Sequence, residues 1–393
     1  MEQSQLPQNL PPMPRKNQKV RVEFRKNRLE RTRAKDWTQQ YKDHGFEQDD
    51  PVLEERISGK GELVRRRTVI AEDVGQSQTE DLGFAALTAC DTTTCRKGRV
   101  LRVCGLVSFV ENEQGEIYQC TTRRVLRTMT TDQRHVVVAG DHVLFRPVPH
   151  HKRLEGAIER IEPRTGAISR RSKNRKQLIV TNVDQILIIT SAAEPVLKPN
   201  LIDRFIVSAE RSEIVPIICI NKIDLVDPAS LQPIIGVYSQ IGYKVIPLSA
   251  TTGFGIERLR RTVKDRESVV CGQSGVGKSS LLNAVDPGLN LRIGEISLEN
   301  QKGKHTTTTA ELMKLSFGGY VVDTPGIREF VLWDIIPEEV LAFYHELAPY
   351  ENQCRFPDCT HSFESDCAVK NAAADGKIDI RRYESYLSLS GRG

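Results

Sequence analysis

Hydrophobic and polar positions change rhythm several times along the chain. Through residues 1 to 95 apolar residues are sparse: a Pro- and Gln-rich start gives way to a basic stretch and then to mixed polar sequence. That pattern predicts a largely disordered extension. From Gly98 the rhythm is that of short strands. Val100–Val110 is rich in β-formers, Glu111–Gly115 supplies turn residues, and Glu116–Cys120 resumes an extended pattern. Val136–Val138 and Val143–Phe145 then flank a Gly140-Asp141 turn. Short strands separated by turn signals predict a small β-barrel of the OB type over 96–165.

The segment Arg164–Lys176, RTGAISRRSKNRK, reads as a basic linker. Beyond it apolar runs at Gln185–Thr190, Val215–Ile220, Val245–Leu248, Ser268–Cys271 and Tyr320–Val322 alternate with helical patterns such as Leu201–Ala209 and Ser279–Ala284. This alternation predicts a mostly parallel sheet covered on both faces, an α/β domain over 174–330. The last segment, 331–393, reads as a small module closed by a helix around Tyr383–Ser388.

Composition narrows the class. The 393 residues, 39 % hydrophobic and 27 % charged, suit two to four globular domains. No apolar run approaches the roughly 20 residues of a membrane span, so no membrane partner is expected. The start, MEQSQLPQNLPPMPRKNQ, has no apolar core of a secretory signal, and a cytoplasmic protein is expected. The net charge is only +5, but ten basic residues lie between Arg15 and Lys35 against Glu23 and Glu30. Such a stretch either contacts RNA or another polyanion or is a solvated tail. Arg123, Arg124 and Arg127 form a second basic cluster, suited to a nucleic-acid backbone. No coiled-coil heptads occur, and a monomer is expected.

The chemistry concentrates in four short motifs. Gly272-Gln273-Ser274-Gly275-Val276-Gly277-Lys278-Ser279, continued by Ser280, matches the phosphate-binding loop G-x-x-x-x-G-K-S. It lies between an apolar strand and a helix, as the motif requires. Its glycines let backbone N–H groups turn toward phosphate oxygens, Lys278 supplies a point charge to the β- and γ-phosphates, and the Ser279 hydroxyl suits Mg²⁺. Asn221-Lys222-Ile223-Asp224 leaves the strand Val215–Ile220. A carboxylate at Asp224 accepts from the N1–H and 2-amino groups of guanine; adenine has neither donor and would leave it unpaired. Asn221 suits the base edge and the Lys222 stem its face. Ser249-Ala250 ends a third strand, where its backbone meets guanine O6, and Asp323-Thr-Pro-Gly326 ends a fourth. There Asp323 would hold Mg²⁺ through water and the Gly326 N–H would touch the γ-phosphate. Together the four predict a GTP site.

Their order is unusual: Asn221 precedes Lys278, whereas ordinary GTPases place the phosphate loop first. A circular permutation preserves strands and site while moving the termini. It also makes the segment after Gly326 lead directly into the C-terminal module, so loss of the γ-phosphate can move that module. Between phosphate loop and Asp323, Gly303-Lys-His-Thr-Thr-Thr-Thr309 reads as a switch, with Thr307 or Thr308 as Mg²⁺ ligand and γ-phosphate sensor; a polar surface loop is the other reading. Ile327 stands where many GTPases carry a glutamine that orients the attacking water. Another group, with His305 a candidate, must assist, and slow intrinsic hydrolysis is expected.

Cys354-x₄-Cys359-x-His361-x₅-Cys367 offers three thiolates and an imidazole, a set suited to one structural, tetrahedral Zn²⁺ with no open position. Reduced structural thiols are the other reading. Cys90, Cys95, Cys104 and Cys120 open with the spacing of a second metal set, but Cys104 and Cys120 lie inside strand patterns and read as small buried hydrophobes; Cys219 and Cys271 read as core packing and His150-His151 as a surface loop.

Over residues 96–393 the chain resembles the circularly permuted ribosome-biogenesis GTPases called RsgA or YjeQ. The resemblance rests on NKID at 221–224, SA at 249–250, GQSGVGKSS at 272–280, GKHTTT at 303–308, DTPG at 323–326 and the C-x₄-C-x-H-x₅-C knuckle. It implies an OB barrel, a central permuted GTPase and a C-terminal zinc domain. It also implies binding to the small ribosomal subunit and its rRNA late in maturation, with GTP hydrolysis to GDP stimulated by that particle and driving release. The extension 1–95 departs from the family's short lead-in. A second reading is a nucleotide-gated RNA-binding switch in which hydrolysis is incidental. A third is a translation-factor-like GTPase acting on mature ribosomes.

Overall fold

The computed structural model describes residues 94–123, 126, 136–148, 153–172, 175–291, 310–323 and 337–392, with the backbone alone at 18–24, 65–71, 170–172, 175–177 and 323. Strand β1 (Gln18–Phe24) pairs antiparallel with β2 (Arg65–Ala71). The extension, expected to be largely disordered, thus carries one pair of strands. Val20, Val22 and Phe24 alternate with polar residues, a strand pattern short enough to be hidden by the surrounding charge.

Five strands then close a barrel: β3 (Arg96–Cys104), β4 (Val107–Asn112), β5 (Ile117–Thr122), β6 (His142–Val148) and β7 (Glu155–Ile161), in the order β3-β4-β5-β7-β6. β6 pairs with β3 to complete the closure, and β5 with β7 is the one parallel pair among them. This five-stranded closed topology is the expected OB type. Val100, Val110, Cys120, Phe145, Ile158 and Ile161 fill its interior.

Two boundaries differ from expectation. Val100–Val110 is not one strand, because Gly105, at φ +62°, turns the chain between β3 and β4. Val136–Val138 forms no strand; Ala139 instead makes an isolated bridge to Val180. The supposed basic linker is also ordered: β8 (Ile168–Ser172) and β9 (Arg175–Val180) form an antiparallel pair. Its seam to the barrel is polar but buried. Asp141 accepts from Arg164 at 2.7 Å, from the Thr181 hydroxyl at 2.7 Å and from the Val138 N–H at 2.9 Å.

The central sheet has the order β12-β11-β10-β13-β15-β14. Its members are β10 (Gln185–Ser191), β11 (Val215–Asn221), β12 (Lys244–Pro247), β13 (Glu267–Cys271), β14 (Glu311–Lys314) and β15 (Tyr320–Asp323). All run parallel except the edge strand β14. Continuous apolar runs follow from burial on both faces. Ile186, Ile188, Ile218 and Ile220 face one core, and Leu187, Ile189, Ile217 and Cys219 the other. Helices α1 (Pro199–Arg211) and α2 (Gln232–Gln240) cover the first face through Phe205, Ile206, Ile234 and Tyr238. Helices α3 (Ile256–Val263) and α4 (Lys278–Val285) cover the second through Leu259, Val263, Leu281 and Leu282. Full burial of each such side chain stabilises by about 1.5–3 kcal/mol.

The C-terminal module holds α5 (Ala348–Glu351), α6 (Ala368–Ala374) and α7 (Ile380–Leu389). It docks on α1, which is buried on two sides: Val207 joins Val340, Tyr344, Leu347 and Tyr386 in a separate core. At this joint the buried Arg382 guanidinium bonds Asp203 of α1 at 2.6 Å and Glu346 at 2.6 Å, and lies 4.2 Å from the Tyr344 ring centre. Tyr238 donates to the same Asp203 at 2.7 Å.

Candidate nucleotide and metal sites

Because β10, β11, β12, β13 and β15 are parallel, their carboxyl ends share one edge of the sheet. Asn221 closes β11, Ser249 follows β12 by two residues, Gly272 follows β13, and Asp323 closes β15. The connection from β12 to β13 crosses back over β10, so chain order reverses between β10 and β13. Open α/β sheets bind ligands in the crevice at such a reversal. The phosphate-loop motif lies there.

The loop needs its glycines. Gly272 has φ +141°, and a Cβ there would lie 2.0 Å from the Ile189 carbonyl oxygen. Gly277 has φ +89°, and its Cβ would lie 2.6 Å from Asn221 Nδ2. Gly275 takes φ +83°. Any side chain at 272 or 277 would enter occupied space in a backbone conformation that only glycine adopts freely. Helix α4 starts at Lys278 on Gly277, without a side-chain cap, so its first N–H groups are available to an anion. Ser279 and Ser280 lie in this first turn. The Lys278 ammonium donates to the Gly272 carbonyl at 2.9 Å and to that of Gln273 at 2.8 Å. These bonds arch it over the loop, beside the space the backbone encloses. Ser274 is exposed and Val276 buried, the latter anchoring the loop in the α3/α4 core.

The second motif is wired to the first. Asn221 is buried, donates through Nδ2 to the Val276 carbonyl at 2.9 Å, and accepts at Oδ1 from the Ala250 N–H at 3.2 Å. One side chain thus fixes the phosphate loop, the N-K-x-D segment and the Ser249-Ala250 turn. Lys222, at φ +62°, donates to the Glu194 carbonyl, and Asp224 is exposed. Ser249 is buried and its hydroxyl accepts from the Thr252 N–H at 3.0 Å, shaping the turn that carries Ala250. Pro195 also approaches the phosphate loop, its Cδ 3.8 Å from where a Gly275 Cβ would stand. The 192–198 connection therefore borders both motifs, a role its sequence did not signal.

His305, Thr307, Thr308, Gly326 and Ile327 lie outside the described residues, as do Arg124, Arg127 and Cys90. Asp323 is described only as the last backbone position of β15. Arg123 pairs with Glu159 at 2.5 Å and keeps its side chain half exposed. Burial pushes the Cys120 and Cys219 thiols up to about 12, which suits the expected packing role, whereas Cys104, at the end of β3 beside the Gly105 turn, is exposed and does not pack.

The metal-ligand set comes together. One ligand atom from each of Cys354, Cys359, His361 and Cys367 lies within 4.8 Å of the others. Cys354 Sγ and Cys367 Sγ are 3.8 Å apart, and each is 3.4 Å from His361 Nδ1. A tetrahedral Zn²⁺ with its usual bond lengths requires S···S of about 3.8 Å and S···N of about 3.6 Å. The donors fit that ion with no open position for a substrate. Outer contacts fix them: Lys370 N–H donates to Cys367 Sγ at 3.5 Å, and Tyr383 donates to the His361 carbonyl at 2.8 Å. Among the described residues no helix is long and apolar enough to cross a membrane.

Known proteins share this architecture. The family model for the RsgA GTPase matches residues 161–333. A small ribosomal subunit biogenesis GTPase RsgA from Chlorobaculum parvum is 40 % identical over 301 residues, covering 74 % of this chain and 96 % of the relative. That of Haemophilus influenzae is 38 % identical over 299 residues, 75 % of this chain and 84 % of the relative. The crystal structure of YjeQ from Thermotoga maritima aligns with TM-score 0.62 and 36 % identity, over 76 % of this chain and 98 % of that one. YloQ, a circularly permuted GTPase, aligns with TM-score 0.60 and 29 % identity, over 77 % and 97 %. With the permuted order of nucleotide motifs, the barrel before them and the Cys₃His knuckle after them, the chain belongs to the RsgA family of circularly permuted GTPases.

Proposed function

We propose that this GTPase acts on the small ribosomal subunit during its biogenesis, contacting rRNA through the barrel and C-terminal module and leaving when GTP is hydrolysed. In this reading residues 1–95 are a basic extension, 96–165 the barrel, 174–330 the GTPase domain and 331–393 the zinc module. The protein works as a cytoplasmic monomer. The subunit assignment rests on the names of the relatives, all small ribosomal subunit biogenesis GTPases.

The observation that carries the site is the convergence of Asn221, Ala250 and the phosphate loop through the two Asn221 hydrogen bonds. Asp224 binds the guanine N1–H and 2-amino group, with Lys222 along the base face and the backbone of the Ser249-Ala250 turn toward O6. Backbone N–H groups of 272–280 cradle the β-phosphate, and with Lys278 they offset the negative charge that builds on its bridging oxygen as the bond from that oxygen to the γ-phosphorus breaks and water adds to the phosphorus. Mg²⁺, when bound, would offset the negative charge that develops on the phosphate oxygens. Ser279, Asp323 and Thr307 or Thr308 are the residues that would hold it, and Gly326 would meet the γ-phosphate. His305 supplies the water-orienting group that Ile327 cannot. The zinc held by Cys354, Cys359, His361 and Cys367 is structural.

Asp224→Asn tests the base reading. Its expected outcome is a loss of at least about a hundredfold in GTP affinity with an unchanged thermal midpoint, since the exposed carboxylate serves only the ligand. Equal binding of ATP and GTP by the native protein would overturn it.

A further inference from the structure

The barrel does not merely adjoin the nucleotide domain. It grips the strands that lead to and from the phosphates. Arg99 and Glu111 face each other across the β3–β4 ladder, as do Arg102 and Phe109. From this small patch three charged side chains reach the central sheet. Glu111 accepts from Lys314 Nζ at 2.6 Å and from the Tyr320 hydroxyl at 2.6 Å. Lys314 and Tyr320 are register partners at the closed end of the β14–β15 pair. Arg102 pairs at 3.4 Å with Glu311, the register partner of Asp323 at the open end. Arg99 pairs with Glu267 at 2.7 Å and lies 4.5 Å from the Tyr320 ring centre. Glu267 begins β13, the five-residue strand that runs into Gly272.

The geometry points to an allosteric role for this contact: Glu111, with Arg99 and Arg102, couples the barrel's hold on its RNA partner to the phosphate state of the nucleotide. The inference rests on the functional reading above and adds the route. β14 starts two residues after Thr309 of the switch motif, and β15 ends on Asp323, the first residue of D-T-P-G. The β14–β15 pair is thus the rigid piece between the two γ-phosphate-sensing segments. A shift of one end must be carried by the other, because four ladder pairs join the strands. The barrel is bonded to both ends.

Two features favour coupling over simple adhesion. Glu111 is only 7 % exposed and its two oxygens are divided between both strands, so sliding of β14 against the barrel breaks a charge-assisted bond to a buried carboxylate. Leu101 of β3 packs on the central core beside these bonds, but the bonds themselves are directional: a displaced polar group has few alternative partners, whereas apolar surfaces slide with little loss. Reciprocity then requires that a barrel ligand change the preference for GTP over GDP by the factor by which GTP changes that ligand's affinity. Couplings of this kind are typically about 5–150-fold.

The test uses the full-length protein, isolated small ribosomal subunits, a non-hydrolysable GTP analogue and GDP. The native protein is expected to bind subunits at least about fivefold differently with the two nucleotides. Glu111→Gln and Tyr320→Phe should bring that ratio toward one, while the affinity of the free protein for each nucleotide stays within about twofold. Tyr320→Phe keeps the ring beneath Arg99 and carries the test if Glu111→Gln lowers the melting temperature. A nucleotide-dependent ratio that survives both substitutions would overturn the coupling, as would a native ratio of one. Failure of the native protein to bind guanine nucleotides or subunits at all would instead overturn the functional reading beneath it.

Discussion

Arg382→Met removes the guanidinium from the joint between α1 and the C-terminal module. Asp203 is wholly buried and Glu346 nearly so, and both lose their cation at 2.6 Å. Breaking a buried pair on one side costs about 3–5 kcal/mol, against about 5–15 kcal/mol for the stability of a whole domain. Loss of the contact with the Tyr344 ring adds to this. The cost should depend on pH. Burial, opposed by the Arg382 charge and by hydrogen bonds from Ser385, Tyr238 and Arg382, already holds the Asp203 carboxyl above its ordinary value. Removing Arg382 raises it further. A carboxyl raised in the folded state carries no penalty below its unfolded pKa, near about 3.9, and loses stability as pH rises through the folded value. The phenols of Tyr238 and Tyr344 are raised by burial and stay protonated. Urea unfolding followed by far-UV circular dichroism should therefore show a larger deficit at pH 8 than at pH 5. Adding Asp203→Asn should recover part of it at pH 8. A deficit below about 1 kcal/mol at pH 8, or one that grows on acidification, would refute the reasoning.

Three further outcomes are expected. Cys354→Ser should take bound zinc from one per chain to less than half, measured by atomic absorption, and expose the module to protease while the central sheet resists. Gly277→Ala places a Cβ 2.6 Å from Asn221 Nδ2 at φ +89°, and about 1–2 kcal/mol of left-handed strain adds to the clash; at least tenfold weaker nucleotide binding by calorimetry is expected. Asp379 caps α7, accepting from the Arg381 N–H at 3.0 Å, and its bonds to Arg381 hold its carboxyl below the ordinary value. Asp379→Ala should cost about 0.5–2 kcal/mol at pH 7, a deficit that disappears as pH falls through the lowered native pKa. Thermal melts at pH 7 and pH 3 check this.

The features legible in the sequence are those whose chemistry is local. The phosphate loop, NKID and the Cys₃His knuckle each need particular residue types at fixed spacing, and the parallel strands announce themselves as apolar runs buried on both faces. The missed features depend on partners far along the chain. β7, EGAIERI, has a weak apolar pattern because its Glu159 is held by Arg123 and Arg146 rather than by solvent. The β8–β9 pair reads as a linker in the sequence because its charges suggest exposure. Leu106, 69 % exposed, extended an apolar run across a real turn at Gly105. The two joints to the GTPase domain, Asp203–Arg382 across 179 residues and Glu111–Tyr320 across 209, use charged residues whose burial no local pattern reveals.

GTP turnover by the purified protein, with and without small ribosomal subunits and with ATP as control, tests the central claim most directly. Slow turnover of GTP alone, strong stimulation by the subunit and no turnover of ATP are expected. GTP turnover that subunits leave unchanged would contradict that claim and favour an RNA-binding switch in which hydrolysis is incidental.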